Sequence, residues 1–456
     1  MSLLRGFLVV QIGPGRAAAV CGRLFADVGA AVTCIDPAAS TPLVDYLNHG
    51  KTVAAGDAPM ARGAVAAAEL IVCEGRPAEL RLSPYDPAAL RRLNATAAIV
   101  TIAPFGQTGP KADDPATDLT LFCASGIARM LTGQVDDLTE PPIRPVGEQS
   151  AFLGGLAAAC AGMHAALLAG NGAEIDVSVQ ETLATLAITE LTRAGLTGRS
   201  WPRQRLTDGN GATVTILPAR DGYAAISPRE ERQWQAWLGV MGSPDWGRDP
   251  RFATKPDRIA NFDALHALMS AWSCQYDKQW IADAAQAAHV PSFPLREAAE
   301  QFGSAHLKHR NFYQPMEIGG RVVQAPGPPF GLSFTRSGHV ASRRRGGGKM
   351  PLSGIRVLDF SWVIAGPTAT RYLAAMGAEI IKIEAPGRGD PGRASELHTV
   401  LGQAKRGIVL DLKRPEAVEI ARALAARSDV VIENFATGVM DRLGLGAKDL
   451  QQINPE

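Results

Sequence analysis

The chain has 456 residues, 46% of them hydrophobic and 20% charged, with a formal net charge of +1. That balance excludes a charge-driven pull toward nucleic acid or anionic membrane, and no apolar run reaches the roughly 20 residues of a membrane-spanning helix. The apolar run near Met1 is too short for a signal peptide, so a cytoplasmic globular protein is expected.

The first expected element is a buried strand over Leu8–Ile12. It opens the stretch VVQIGPGRAAAVCGRLFADVGAAVTCIDP, residues 9–37, in which Gly13-Pro14-Gly15 leads into a helix and a second apolar run ends at Asp36. The pattern has the form of a dinucleotide fingerprint, with glycines that let backbone approach a pyrophosphate and an acid for a ribose hydroxyl. Its alternative is a tight strand-to-helix turn with no ligand. The β-rich runs VVQI, AVTCI, LIVC and AIVTI alternate with Ala/Leu-rich helical stretches, which predicts an α/β fold with a Rossmann-like open parallel sheet. Long helices are expected over 151–169 and 178–195. Beyond them ATVTILPARDGYAAISP reads as a hairpin, followed by helices carrying Trp234, Trp237, Trp272 and Trp280. Residues 210–310 are therefore expected to form a smaller α+β domain beside a large domain over about 1–200 and 311–335. The segment GPPFGLSF would return the chain to the large domain.

The six cysteines, Cys21, Cys34, Cys73, Cys123, Cys160 and Cys274, form no Cys-x-x-Cys pair and stand near no histidine cluster. Neither a zinc site nor a disulfide framework is expected, and the thiols read mostly as small buried hydrophobes. His164 lies inside an Ala-rich run and reads as a helix residue rather than a base.

An internal repeat organises the rest. GIRVLDFSWVIAGPTATRYLAAMGAEIIKIEA, residues 354–385, aligns without a gap on residues 6–37. Gly6 meets Gly354, Val9 meets Val357, Ala17 meets Ala365, Arg23 meets Arg371, Gly29 meets Gly377, and Asp36 meets Glu384. AELIVCEG (68–75) then matches SDVVIENF (428–435), and DPAALRRLN (86–94) matches GAKDLQQIN (446–454). A first copy over 1–335 is expected to be joined by a linker, 336–351, to the beginning of a second copy over 352–456. The linker is polar and basic, with Arg343-Arg344-Arg345 and three consecutive glycines. Copy two stops where copy one continues into ATAAIVTIAPFGQTGP, so the second copy is expected to be incomplete. Where copy one has GPGRAA, copy two has SWVIAGPTAT, so the turn reading is favoured over the dinucleotide one.

LSGIRVLDFSWVIAGPTATRYLAAMGAEIIKIEAPGRGDPGR resembles the opening of class III coenzyme A transferases, the CaiB/BaiF family that includes formyl-CoA and carnitine-CoA transferases. KRGIVLDLKRPE (405–416), SDVVIENFATGVMDRLGLG (428–446) and LQQINPE follow in the family's order. Copy one resembles it in FGQTGP (105–110), EIDVSVQETLATL (174–186) and DPRFATKPDRIANFDAL (249–265). The resemblance implies no permanently bound cofactor, coenzyme A and acyl-CoA as substrates, a carboxylic acid as acceptor, and an interlocked homodimer or intramolecular pseudo-dimer. It carries the coenzyme contacts onto Val363, Ile364 and Ala365 in the first turn, and onto Leu410, Lys413, Asn434, Phe435 and Arg442. Helix N-termini and an arginine suit phosphates. Leu410 has a plain-core alternative, and Lys413 and Arg442 have a surface-charge alternative. In copy one Asn434 corresponds to Glu74 and Arg442 to Leu82, changes that weaken binding of an anion.

The resemblance also implies an aspartate nucleophile that attacks the thioester to give a mixed anhydride, followed by an enzyme–CoA thioester. In PVGEQSAFLGGLAAACAG of copy one its position falls on Ala151, beside Phe152. Glu148 is the nearby carboxylate but is displaced, and catalysis needs sub-ångström placement. The first copy is therefore expected to be catalytically degenerate. Three alternatives stand beside the transferase: a non-catalytic CoA-binding or scaffold half, a transferase coupled to lyase or racemase chemistry, and, last, an NAD or FAD oxidoreductase.

Overall fold

The computed structural model describes residues 3–130, 139, 141–142, 145–166, 172–200, 212–333, 350–387 and 390–454. The expected linker lies almost wholly outside the described residues. The chain forms two compact units: Met1–Ala128 with Arg144–Trp201 and Gln314–Glu456, and Arg129–Ile143 with Pro202–Tyr313.

The first unit holds two parallel sheets. The N-terminal sheet contains β1 (Leu8–Ile12), β2 (Ala31–Ile35), β3 (Thr52–Ala54), β4 (Leu70–Glu74), β5 (Ala98–Ala103) and β6 (Glu174–Ser178). Their spatial order is β3-β2-β1-β4-β5-β6, and each described pair is parallel. The central strands are apolar on both faces, as a sheet covered on both sides requires. All residues of β5 are buried. The helix Gln149–Ala166 packs on Arg16–Asp27 through Gly155, where an added Cβ would stand 2.6 Å from the Val20 Cβ.

The unit containing Trp234 is built on its own core. Strands β7 (Thr215–Ala219) and β8 (Gly222–Ile226) form an antiparallel hairpin, and β9 (Ser292–Pro294) joins the β8 edge. Trp234 and Trp237 are buried among Leu217, Phe252, Leu265 and Met269. Strands β10 (Tyr313–Ile318) and β11 (Arg321–Pro326) form a two-stranded sheet. The return to the first unit is fastened by Tyr46 Oη, which donates to Pro326 O at 3.1 Å, and Gly319 N, which donates to Asp45 Oδ2 at 2.9 Å.

The C-terminal sheet contains β12 (Arg356–Asp359), β13 (Glu379–Glu384), β14 (Lys405–Val409) and β15 (Val430–Ile432), ordered β14-β13-β12-β15 and again parallel. That order is the same as β3-β2-β1-β4. Gly6 and Gly354, at φ +87° and +85°, precede the first strands, and Gly29 and Gly377, at +91° and +99°, precede the second. Glycine adopts this left-handed backbone without steric cost, so the same bends recur at aligned positions.

Two expectations differ from the fold. The single helix expected over 178–195 is three pieces: Val179–Ala184, a 3₁₀ turn Thr185–Ala187, and Ile188–Thr197. Thr182 Oγ1 donates to Ser178 O and Thr185 Oγ1 to Thr182 O, and such back-bonding competes with a continuous helix. Cys21, Cys34 and Cys73 are buried, but Cys123, Cys160 and Cys274 are exposed; all are free thiols. Burial pushes the Cys21 and Cys73 thiols up to about 12.

Candidate functional site

In an open parallel sheet a ligand crevice forms at the carboxyl ends of the strands, where the chain reverses its direction of spread. In the C-terminal sheet that point lies between β12 and β15. The segments leaving them are Phe360–Ile364 and Glu433–Phe435. Asn434 spans the gap: its Oδ1 accepts from Trp362 N at 2.7 Å and its Nδ2 donates to Trp362 O at 2.9 Å. The Trp362 and Phe435 rings meet edge-on at 5.3 Å. Val363, Ile364 and Ala365 follow at the start of the helix Ala365–Ala375, with Val363 44% and Ile364 52% exposed.

The other expected contacts divide by environment. Leu410 is 7% exposed and packs with Leu358, Phe360 and Ile383, and the partly buried Phe435 lies against the same core. Lys413 and Arg442 are exposed. Lys413 follows β14, and Arg442 ends the short helix Val439–Arg442 after β15.

Beneath the turn lies a charged cluster that the sequence reading missed. Asp359 is fully buried. Its carboxylate accepts from Ser361 Oγ at 2.5 Å, Thr370 Oγ1 at 2.6 Å and Lys405 Nζ at 3.3 Å, with Lys382 Nζ at 3.6 Å. Lys382 also donates to Ser361 O. Burial alone would raise the Asp359 carboxyl, but Lys382, the two hydroxyls and Lys405 outweigh it and hold the group below its ordinary value. Burial pushes Lys405 below its ordinary value, against the pull of Asp359.

The N-terminal sheet has a version of this cluster that keeps one lysine and lacks the carboxylate. The gapless alignment puts Gln11 on Asp359, Cys34 on Lys382 and Gly22 on Thr370, and strand register puts Lys51 on Lys405. Gln11 Nε2 donates to Cys34 Sγ at 3.1 Å, and Lys51 Nζ donates to Gln11 Oε1 at 2.6 Å. A Cβ on Gly22 would lie 2.6 Å from Gln11 Oε1, so the longer amide occupies space that Thr370 fills in the other sheet. A second exchange is reciprocal. Ser361 faces Gly366, where an added Cβ would fall on the serine side chain, while their counterparts are Gly13 and Ala18. The signal was available in the sequence: Asp359 and Lys382 are register partners across β12 and β13, as Gln11 and Cys34 are across β1 and β2.

At the N-terminal switch point Glu74 takes the place of Asn434. Its Oε2 accepts from Ala18 N at 2.9 Å, at the start of the helix Arg16–Asp27, and an added Cβ on Gly15 would collide with its side chain. Burial raises the Glu74 carboxyl, opposed by the Ala18 and Ala17 N–H groups and by Arg16. The helix end that could have held a pyrophosphate is filled by the protein's own carboxylate. Glu148, at φ +57°, forms an ion pair with Arg16, and Ala151 and Phe152 lie in the helix Gln149–Ala166. His164 is half-buried in that helix, and burial holds its imidazole below its ordinary value.

The profile of CoA-transferase family III matches residues 4–344 and 352–456. The chain belongs to that family. Formyl-CoA:oxalate CoA-transferase from Afipia carboxidovorans is 45% identical over 114 residues, which are 23% of this chain and 27% of that protein. The enzyme of the same name from Bradyrhizobium diazoefficiens is 44% identical over the same length and shares. The chain thus spans about a quarter of the length of these curated relatives, 27%. A CAIB/BAIF family protein from Brucella suis shares the fold with a TM-score of 0.64 at 22% identity, over 73% of this chain and 93% of that one. Rv3272 from Mycobacterium tuberculosis gives 0.60 at 20% identity, with the same coverage of both chains. Among the described residues no group of three or more His, Cys, Asp or Glu is placed to hold a metal ion, and no helix is long and apolar enough to cross a membrane.

Proposed function

We propose that the chain is a coenzyme A transferase, moving coenzyme A between an acyl-CoA and a carboxylic acid. It carries one Rossmann-like copy of the fold and, over 352–456, a repeat of that copy's first four strands, and this repeat provides the coenzyme contacts. The observation that carries this reading is the apolar turn Trp362–Ala365, exposed over Val363–Ala365 and tied across the switch point by Asn434. Lys413 and Arg442 supply cations for the coenzyme's phosphates, and Val363 and Ile364 line its apolar parts. Leu410 and Phe435 support the turn from the core, and Asn434 acts by holding Trp362.

The chemistry proposed is that of a carboxylate nucleophile. An aspartate attacks the acyl-CoA carbonyl, expelling the CoA thiolate and leaving an acyl–aspartyl anhydride. The thiolate attacks the aspartyl carbonyl, releasing the first acid and forming an enzyme–CoA thioester. The acceptor carboxylate then repeats these steps in reverse. The first copy contributes no such group: the aligned position is Ala151, and Glu148 is engaged with Arg16. Glu74 closes its coenzyme turn, so this copy acts as a scaffold.

The test is thermal stabilisation by coenzyme A, with NAD as the control and formyl-CoA with oxalate as the first substrate pair. Coenzyme A should raise the melting temperature, and Lys413→Ala or Arg442→Ala should each weaken its binding about tenfold, as expected for a lost charge-assisted hydrogen bond. Stabilisation by NAD but not by coenzyme A would overturn the reading. Hydroxylamine trapping of an acyl group on Glu148 would overturn the assignment of the first copy as a scaffold.

A further inference from the structure

Val363 lies at φ +66°. A β-branched side chain is rarely found in this left-handed region, because its Cβ crowds the following carbonyl. Such a conformation persists only where the surroundings over-determine it. Here they do. Ser361 N donates to Asp359 and Ser361 O accepts from Lys382. Trp362 N and O are both taken by Asn434. Val363 N donates to the Asp390 carboxylate, at 3.0 Å to Oδ2 and 3.2 Å to Oδ1. Side chains from four other places in the sequence thus hold consecutive backbone groups of one turn.

Asp390 is the member that touches the strained residue itself. Its side chain is 4% exposed, and it also accepts from Gly392 N at 2.7 Å. An added Cβ on Gly392 would stand 3.6 Å from the Val363 Cα, so the Asp390 loop passes directly against the strained backbone. The aligned position in the N-terminal sheet is Gly15, at φ −62°, which needs no such clamp. The strained, clamped version occurs in the sheet whose turn leaves Val363 and Ile364 exposed.

We propose that Asp390 is a positioning residue: by accepting the Val363 N–H it holds Val363 in the left-handed conformation and fixes the shape of the coenzyme-facing turn. The proposal rests on the reading that this turn faces the coenzyme.

The experiment uses the full chain and its D390A, D390N, V363G and D390A/V363G variants. Hydrogen exchange of a peptide covering residues 361–364 is compared with one covering β12, and coenzyme A binding is measured by calorimetry. D390A should speed exchange of the turn about tenfold beyond any change in β12 and weaken coenzyme A about tenfold, the order set by releasing strain of this class. D390N keeps an acceptor oxygen and should restore both to within about threefold. D390A should lower the melting temperature less in the V363G background, because glycine needs no clamp at this φ. Equal exchange changes in the turn and in β12, or an equal cost of D390A in both backgrounds, would overturn the positioning role. Absence of coenzyme A binding by the unaltered chain would instead overturn the coenzyme reading, and the exchange comparison would still decide the role of Asp390.

Discussion

In the N-terminal sheet the chain leaves β1 through Gly13-Pro14-Gly15, with Gly13 at φ +86° and its N–H given to Ile35 O at 2.8 Å. In the C-terminal sheet it leaves β12 through Ser361-Trp362-Val363, held by side chains of Asp359, Lys382, Asn434 and Asp390. One turn gets its shape from residues whose backbone already favours it. The other gets it from an ion cluster and a set of clamps, and keeps apolar side chains exposed. Beneath them, Asp359–Lys382–Thr370 and Gln11–Cys34–Gly22 differ at every position, yet each set is internally consistent. A buried ion pair can be replaced by a neutral pair without collapse when both partners change. The lesson of the comparison is that these residues are units of substitution, and single changes should behave unlike grouped ones.

The largest effect should come from splitting the unit. Asp359→Asn leaves Lys382 and Lys405 buried with no anion between them and should cost about 3–5 kcal/mol by urea denaturation. The transplant D359Q/T370G/K382C should recover most of that loss; a triple variant less stable than D359N would break the comparison. Next is the reciprocal pair. Gly366→Ala drives a methyl into Ser361 and should cost about 1–3 kcal/mol, as overpacking does. Adding Ser361→Gly should remove most of the cost, and a denaturation cycle on the four proteins measures the coupling.

Glu74→Asn installs the C-terminal sheet's residue at the N-terminal switch point. It should cost about 1 kcal/mol through the hydrogen bond lost from Ala18 N, and calorimetry should then show sulfate or coenzyme A binding at a second site. The smallest effect concerns Lys51, whose ammonium burial pushes down to about 8. Because the folded state then releases its proton before the unfolded state does, Lys51 should make stability rise between pH 8 and the ordinary lysine range. Lys51→Met should flatten that slope relative to the unaltered chain in denaturation series across this range.

The strands that build both switch points were legible because they are apolar and flanked by glycines that align, as Val9 and Val357 or Gly29 and Gly377 do. Strand β3 was not, since three residues beside a lysine carry no periodic signal. Strand β6, EIDVS, alternates as an edge strand does and was absorbed into a family motif. Lys382 was hidden for a related reason: in EIIKIE it reads as the polar face of a strand, whereas it is buried against Asp359. Asp390 could not be read at all, because its partner Val363 becomes strained only in three dimensions. Among the expected contacts, the apolar Leu410 and the charged Arg442 already carried different alternatives, core and surface, and they lie buried and exposed respectively.

Glu74 has a consequence for competition. A side chain tethered beside the helix end competes with dissolved anions as an intramolecular ligand, at an effective concentration set by its tether. The first turn therefore resembles a lock supplied with its own key, and a free anion has to displace that key to enter. One difference between two similar turns in one polypeptide is then a carboxylate in one and an amide in the other.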